Sequence, residues 1–476
     1  MEARHADDLR RAESDVAAHS AAFKKELGLR DLALTQILFI IGLSWVGAAG
    51  KLGPAHVIFW LIAITLFYFP SAAIVIYLNG LMPLEGGLYQ WAKLGFSEAA
   101  GFMVAWNLWL YVITNTSEIG LQLTTNLAYA IGPSGAWISS NKWLITMTSL
   151  FVIALLVIVS TIGLGVGKWV HNVGGIIMLA IFAALLALPF VHVARGELRE
   201  YHPLATAMPV FSLFSLNILG KLGFGALGGF EYVAILAGEC RSPARTIGHS
   251  VMVAAPLIAI MFIFGTSSVL AFVRPDQIDL IAPIPQVLSL GFSTFGVAAL
   301  AVPIALALLV VLRVAQASVN FTGLTRLPMV AGWDHLMPRW FTKLHPRFKT
   351  PVNSILFVEV VTMALGSLSL IGVGRQESFQ LLFNAGGIFY ALTYLIMFAI
   401  PLFGLRTLRP TPPWWLRIAA VSGFLMTLLY VTLSVFPIIA VKSNFAFTLK
   451  IAGVIVVANI VGAGIFVAAR ARRARR

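Results

Sequence analysis

One cysteine, Cys240, stands among 476 residues, which excludes a disulfide within the chain and any metal site built from several thiolates. Charge is nearly as scarce. Only 11% of the residues are Asp, Glu, Lys or Arg, against about 25% in soluble domains. No G-x-x-x-x-G-K-[ST] loop occurs, so ATP is not expected to drive this chain. Clusters of His with Asp or Glu are missing from the apolar stretches, which argues against an enzyme, a metal site or a bound cofactor.

What fills the chain instead is apolar: 59% hydrophobic residues and a mean hydropathy of +0.90. Runs of about 20 apolar residues cross a bilayer as helices. Twelve can be read, near 32–50, 54–79, 99–130, 142–162, 169–193, 210–238, 248–273, 293–323, 352–372, 378–404, 415–437 and 446–469. The third is long enough to tilt strongly. The connection 325–350 is too polar for a span and reads as an amphipathic connector at the interface. The polar opening 1–30 predicts no cleavable signal peptide.

The formal charge of +14 does not point to nucleic acid, because the basic residues sit in short loops and tails. With alternate loops assigned to opposite sides, most of the 33 Lys and Arg join the N-terminus: Arg4, Arg10, Arg11, Lys24, Lys25, Arg30, Lys93, Lys168, Arg241, Arg245, the stretch 326–349, Arg406, Arg409, Arg417 and the arginines from Arg470 onward. That asymmetry predicts a multi-pass protein of the cytoplasmic (inner) membrane with both termini cytoplasmic. The lipid bilayer is the expected partner, and oligomeric state is not legible.

Two of the runs are interrupted. The sixth carries Gly223, Gly225, Gly228 and Gly229, followed by Glu231. A lipid-facing helix would lose by both features, since glycine weakens helix and an ionised group at bilayer depth is expensive. Irregular backbone survives there only beside protein or a watery cavity. The first run carries Gly42, Ser44, Trp45, Gly47, Ala48, Ala49 and Gly50. Breaks in the first and sixth spans are what two five-helix halves of opposite topology produce, with a binding site between them. Close packing through small residues is the other reading of each break. The expected fold is an all-α membrane protein of twelve transmembrane helices. It comprises a tail (1–30), a five-plus-five inverted-repeat core (31–405, halves 31–193 and 210–405) with discontinuous helices 1 and 6, and two peripheral helices with a basic tail (410–476).

Three motif stretches then carry a resemblance, together with the irregular first span. Met82-Pro83-Leu84-Glu85-Gly86-Gly87-Leu88-Tyr89, with Gly95, Gly101 and Phe102, is similar to a "P-x-x-G-G-x-Y … G … G-F" connection. Gly229-Phe230-Glu231 and Glu239-Cys240-Arg241-Ser242-Pro243-Ala244-Arg245-Thr246-Ile247 resemble a "G-F/V-E … E-x-x-x-P-x-R-x-I-P" sixth span and loop, with Gly248 where proline is usual. Arg326, Trp333-Asp334-His335-Leu336-Met337-Pro338 and Pro351-Val352-Asn353 resemble an "R … A-R-D-G-x-L-P … P-V-N" stretch. These are motifs of the amino acid–polyamine–organocation transporter superfamily, amino acid permease branch. The resemblance implies a secondary transporter that moves amino acids or related small amines by alternating access, coupled to protons or to counter-substrate exchange. A polyamine or organic-amine carrier is the alternative, and a channel or membrane sensor on the same scaffold a more distant one. Where several antiporters of the family place an aromatic gate in span six, this chain has Gly225. Where some proton-coupled members place a lysine in span five, it has Met178 and Leu179.

An amino acid zwitterion needs a place for a carboxylate and one for an ammonium. Free N–H groups near Gly47, Ala48, Ala49 and Gly50, beside Ser44 and Trp45, are expected to take the carboxylate as helix N-termini take anions. Carbonyls around Gly225, Gly228 and Gly229 are expected to take the ammonium. Trp106, Asn107, Tyr111, Phe224 and Tyr390 are the expected neighbours of the substrate side chain. Four ionisable residues inside spans, Glu118, Lys221, Glu231 and Arg313, balance in charge and predict mutual neutralisation. The resemblance links Glu231 to gating and proton movement. Arg313 lies about 20 Å of helix before Arg326, too far to snorkel, and is expected to stand in for a metal cation near Gln316 and Asn320, or to pair with Glu231 or Glu118. Lys221 either meets an acidic substrate group or snorkels outward. Arg241 and Arg245 are expected to pair with Glu239.

Overall fold

The computed structural model describes residues 14, 16, 18, 23–293, 295, 298–368, 375–404, 411–439 and 441–474. Of the basic residues used to orient the chain, Arg4, Arg10, Arg11, Arg406, Arg409, Arg475 and Arg476 lie outside these. Among the described residues the chain is helical, with no strand and a single isolated bridge between Leu27 and Cys240. Nine described helices are long and apolar enough to cross a membrane, and a bent pair, Leu29–Ile40 with Leu43–Gly50, makes ten. The count departs from twelve at the third and ninth runs. The third is two helices, Glu98–Ser117 and Ile119–Ile131, that meet at Glu118. The ninth is described as the 17-residue helix Val352–Leu368, its expected end at 369–372 lying outside the described residues.

Helix starts follow local chemistry. Ser97 accepts from the Ala100 N–H at 3.2 Å and Asn141 from that of Leu144 at 3.1 Å, satisfying orphan donors of the first turn. Large apolar side chains stay exposed along the outside of the bundle, Phe151, Met252, Val360 and Ile460 among them, as a lipid-facing surface requires.

Both interrupted spans are broken, but not both where the glycines suggested. In the first, the helix ends at Ile41 (φ −77°, ψ 89°) and restarts after Gly42, with a bend of 44°. Residues 47–50 are regular helix. Gly47 and Gly50 serve close packing instead: a Cβ would come within 2.9 Å of Pro283 at Gly47 and 2.6 Å of Ile278 at Gly50. In the sixth, helix Leu213–Gly220 loosens to π geometry at Lys221–Ala226, opens at Leu227–Gly229 and resumes as a tight 3₁₀ segment at Phe230–Glu239.

Gly229 is required twice over. Its φ of +136° belongs to glycine, and a Cβ there would lie 2.7 Å from both Phe39 and Ile40, so the two breaks touch at this point. Gly229→Ala should therefore destabilise the protein by about 2–4 kcal/mol, from backbone strain and overpacking together. Thermal unfolding of the purified protein should show a lower midpoint; an unchanged midpoint would mean the breaks are not packed this way.

Candidate functional site

The breaks open onto a cavity in the middle of the bundle. Phe39, Ile40, Gly42, Ser44 and Trp45 line it from the first span, and Phe224, Gly225 and Gly228 from the sixth. Tyr111, Asn115, Glu118 and Gln122 come from the third, Arg313, Gln316 and Asn320 from the eighth, and Phe383, Tyr390 and Tyr430 from the tenth and eleventh. The walls differ in chemistry. Spans three and eight bring charge and amides, and Tyr111 of the third joins the rings of six, ten and eleven: Phe224 lies 5.4 Å from Tyr390 and 4.9 Å from Tyr430, and Tyr111 stacks on Tyr390 at 4.5 Å.

Most expected substrate neighbours are here, though not all. Ser44, Trp45, Tyr111, Phe224, Gly225, Gly228 and Tyr390 line the cavity. Trp106 and Asn107 do not. Their helix face turns to the last span, where Trp106 Nε1 donates to the Ala458 carbonyl at 2.9 Å and Asn107 Nδ2 to Asn459 Oδ1 at 2.8 Å. Gly47, Ala49 and Gly50 lie inside the second half-helix, away from the cavity, because the break comes earlier, at Ile41. The free N–H groups are accordingly those at the start of helix Leu43–Gly50.

Trp45 occupies the space opposite Gly225. A Cβ on Gly225 would sit 2.5 Å from the Trp45 ring, and one on Gly42 2.7 Å from it. The indole packs on Phe383 at 4.6 Å. These two rings line the main cavity and also a second, smaller one that holds Ala48, Lys221 and Gln380. They form the partition between the two. The space left by Gly225 in span six is thus filled by an indole from span one.

The four buried charges do not neutralise one another by contact. Glu231, 1% exposed, receives the hydroxyls of Tyr390 and Tyr394 and sits behind Tyr390, off the cavity wall. Tyr394 in turn accepts from the Gly229 N–H at 2.6 Å, so a chain of hydrogen bonds joins the tenth span to the break in the sixth. Lys221, also 1% exposed, reaches Asn384 Oδ1 at 2.9 Å and Ser434 Oγ at 3.3 Å rather than solvent. Glu118 takes Gln122 Nε2 at 2.7 Å. Arg313 donates to Gln316 Oε1 at 3.1 Å, and no ion pair joins it to Glu118 or Glu231.

Arg313 does lie beside Gln316, and the Gln316 carboxamide in turn bridges the eighth span to the break in the first. Its Nε2 donates to the carbonyls of Leu38 (3.1 Å) and Ile41 (2.7 Å), acceptors left open where the first span breaks. Arg313 stands behind it and holds the amide oxygen, while Asn320 Nδ2 donates to the Gln316 carbonyl at 3.0 Å.

A second polar cluster closes the end of the bundle where Leu27 meets Cys240. Glu85 accepts from the Gly238 N–H at 2.7 Å, and Lys25 donates to the Gly238 carbonyl. Glu239 pairs with Arg326 at 2.7 Å, not with Arg241 or Arg245; Arg241 instead donates to the Lys25 carbonyl at 3.3 Å. Lys93 meets Asp334 at 2.5 Å and Arg473 meets Glu98 at 2.7 Å. Helix Leu327–Trp333 is mostly buried beside these contacts, so this part of the polar connector packs into the bundle. Glu85 lies between spans. Burial first, then repulsion from Glu239, pushes its carboxyl from the ordinary 4.5 to about 8, against the pull of Arg326, the Gly238 N–H and Lys25. Burial likewise raises the Cys240 thiol well above its ordinary value.

Known proteins share this architecture. A family model described as amino acid permease matches residues 31–468. The probable agmatine/putrescine antiporter AguD of Lactococcus lactis is 21% identical over 89% of this chain and 88% of its own length. The branched-chain amino acid permease BcaP of Bacillus subtilis is 22% identical over 76% of this chain and 80% of its own. Among solved structures, MhsT in complex with L-phenylalanine superposes with a TM-score of 0.63 at 16% identity, over 86% of this chain and 98% of that one.

Proposed function

The chain belongs to the amino acid permease family, and we propose that it is a secondary active transporter that carries amino acids or related small amines across the cytoplasmic membrane by alternating access. The observation that carries this reading is the contact of two broken helices at one cavity, through Gly229 on Phe39 and Ile40. A zwitterion's carboxylate would lie at the start of helix Leu43–Gly50, where N–H groups are free, and its ammonium at the carbonyls of Gly225–Gly228. The halves 31–193 and 210–405 are read as the five-plus-five inverted repeat, with both termini cytoplasmic and the cluster of Glu85, Glu239 and Arg326 as the inner closure. The Trp45–Phe383 partition is read as the outer one.

The names of the relatives, one an antiporter of agmatine and putrescine and one a permease of branched-chain amino acids, support an amino acid or amine as cargo. Glu231 is the residue proposed to carry a proton, because its carboxylate is tied through Tyr394 to the break that must move. Uptake into proteoliposomes, with and without an imposed proton gradient, tests the reading. Flux that saturates and responds to the gradient or to internal counter-substrate supports a carrier, whereas flux that never saturates points to a pore.

The inner closure should depend on pH. A carboxyl whose protonated form is favoured by closure contributes that stability fully below its ordinary pKa and loses it as pH rises through the raised one. For Glu85 the window runs from 4.5 to about 8. Cys240, buried behind the cluster, reports opening. Its maleimide labelling in inside-out vesicles should accelerate across this window more steeply in the parent than in Glu85→Gln, which shares the thiol's own chemistry. Parallel profiles would remove Glu85 as the sensor.

A further inference from the structure

We infer that the wall of the cavity formed by the third and eighth spans is a side-chain compartment for amino acids whose side chain is uncharged but both donates and accepts hydrogen bonds, carboxamides fitting best. This rests on the carrier reading above and names the substrate class of that same site.

Arg313, Gln316 and Asn320 follow one another along one face of their helix at spacings of three and four, and Glu118 and Gln122 line the same cavity. Each of three residues on this wall has one polar atom engaged and another left over. Glu118 Oε1 is taken by Gln122, while Oε2 has no partner. Arg313 Nη1 is taken by Gln316, while Nε has none. Asn320 Nδ2 is taken by the Gln316 carbonyl, while Oδ1 has none. The three side chains are 2%, 7% and 7% exposed. Polar atoms buried this deeply are ordinarily hydrogen-bonded, and three residues that line one cavity each carry one without a partner.

The orphaned set is two acceptors and one donor, and the wall carries one carboxylate and one guanidinium, so its formal charge is zero. A carboxamide supplies the complement: two N–H hydrogens, one each for Glu118 and Asn320, and a carbonyl for Arg313. A diamine would bring its second ammonium to Arg313. An acidic side chain would face Glu118. A leucine side chain would cover all three atoms and satisfy none.

The test is a panel of glutamine, asparagine, leucine, glutamate and putrescine, read by thermal shift of the purified full-length chain and by competition for uptake in proteoliposomes. Sites built to hydrogen-bond a substrate group discriminate strongly against analogues that lack it. Glutamine or asparagine should therefore bind at least about tenfold more tightly than leucine, with putrescine and glutamate weaker still. Leucine, glutamate or putrescine binding as tightly as the carboxamides would overturn the compartment and leave the carrier standing. A panel in which nothing binds would overturn the carrier reading, and this inference with it. As a second measurement, Glu118→Leu/Arg313→Leu should bring glutamine and leucine to within about threefold of each other; a preference for glutamine that survives the double substitution would place its recognition elsewhere.

Discussion

Replacing Glu231 by leucine should reduce uptake to background and lower the unfolding midpoint. The carboxylate holds two tyrosine hydroxyls in a fully buried place, and each hydroxyl left without a partner costs about 1–3 kcal/mol. The loss extends further, because Tyr394 also receives the Gly229 N–H and so fixes the residue at which both broken spans touch. Glu231→Gln separates positioning from proton carriage. A carboxamide can accept from one tyrosine and donate to the other, so this variant should fold and bind substrate, and the geometry should persist. If Glu231 carries the coupled proton, uptake by Glu231→Gln becomes indifferent to an imposed pH gradient while exchange continues. Gradient-driven uptake at the parent rate in Glu231→Gln would end the proton role and leave only the scaffold role.

The second large effect is expected at Arg326. Its guanidinium pairs with Glu239 and also donates to the Thr322 carbonyl, beside the equally buried Glu85. Removing one partner of a buried pair strands the other charge, at about 3–5 kcal/mol. That corresponds to about two to four powers of ten in an equilibrium. Arg326→Ala should accordingly shift the protein toward the state open on the side of the N-terminus, with rapid maleimide modification of Cys240 from that side and weak net uptake. Apolar replacement of both partners is often neutral, so Arg326→Met/Glu239→Met should slow Cys240 modification again. Rapid modification in the double variant would show that the pair is not what holds this end shut.

The break in the sixth span could be read from residues alone, because four glycines and a carboxylate within nine positions leave few other outcomes at bilayer depth. The break in the first span could not be placed. It falls at Ile41 and Gly42, the first of several glycines in that run with nothing local to single it out, and what satisfies its open carbonyls is an amide from Gln316, some 275 residues away. The cluster Gly47–Gly50 drew attention to itself and turned out to serve Pro283 and Ile278. Trp106 and Asn107 failed for a related reason. Sequence shows that they share a helix with Tyr111, but which face meets the cavity depends on where the last span packs. The interruption at Glu118 lies two residues before Gly120, whose N–H is taken by Ser149 Oγ at 3.1 Å.

Gln316 bears on energetics. Two main-chain oxygens at a helix break make a natural coordination site for a small monovalent cation, and here an uncharged amide already donates to both. A sodium ion entering there would have to displace hydrogen bonds that bind the eighth span to the first. The ordering that an ion would otherwise supply at this joint is built into the polypeptide, so the joint needs no salt gradient to stay assembled. Replacing sodium with potassium or choline on both sides of the membrane should leave substrate affinity as it was.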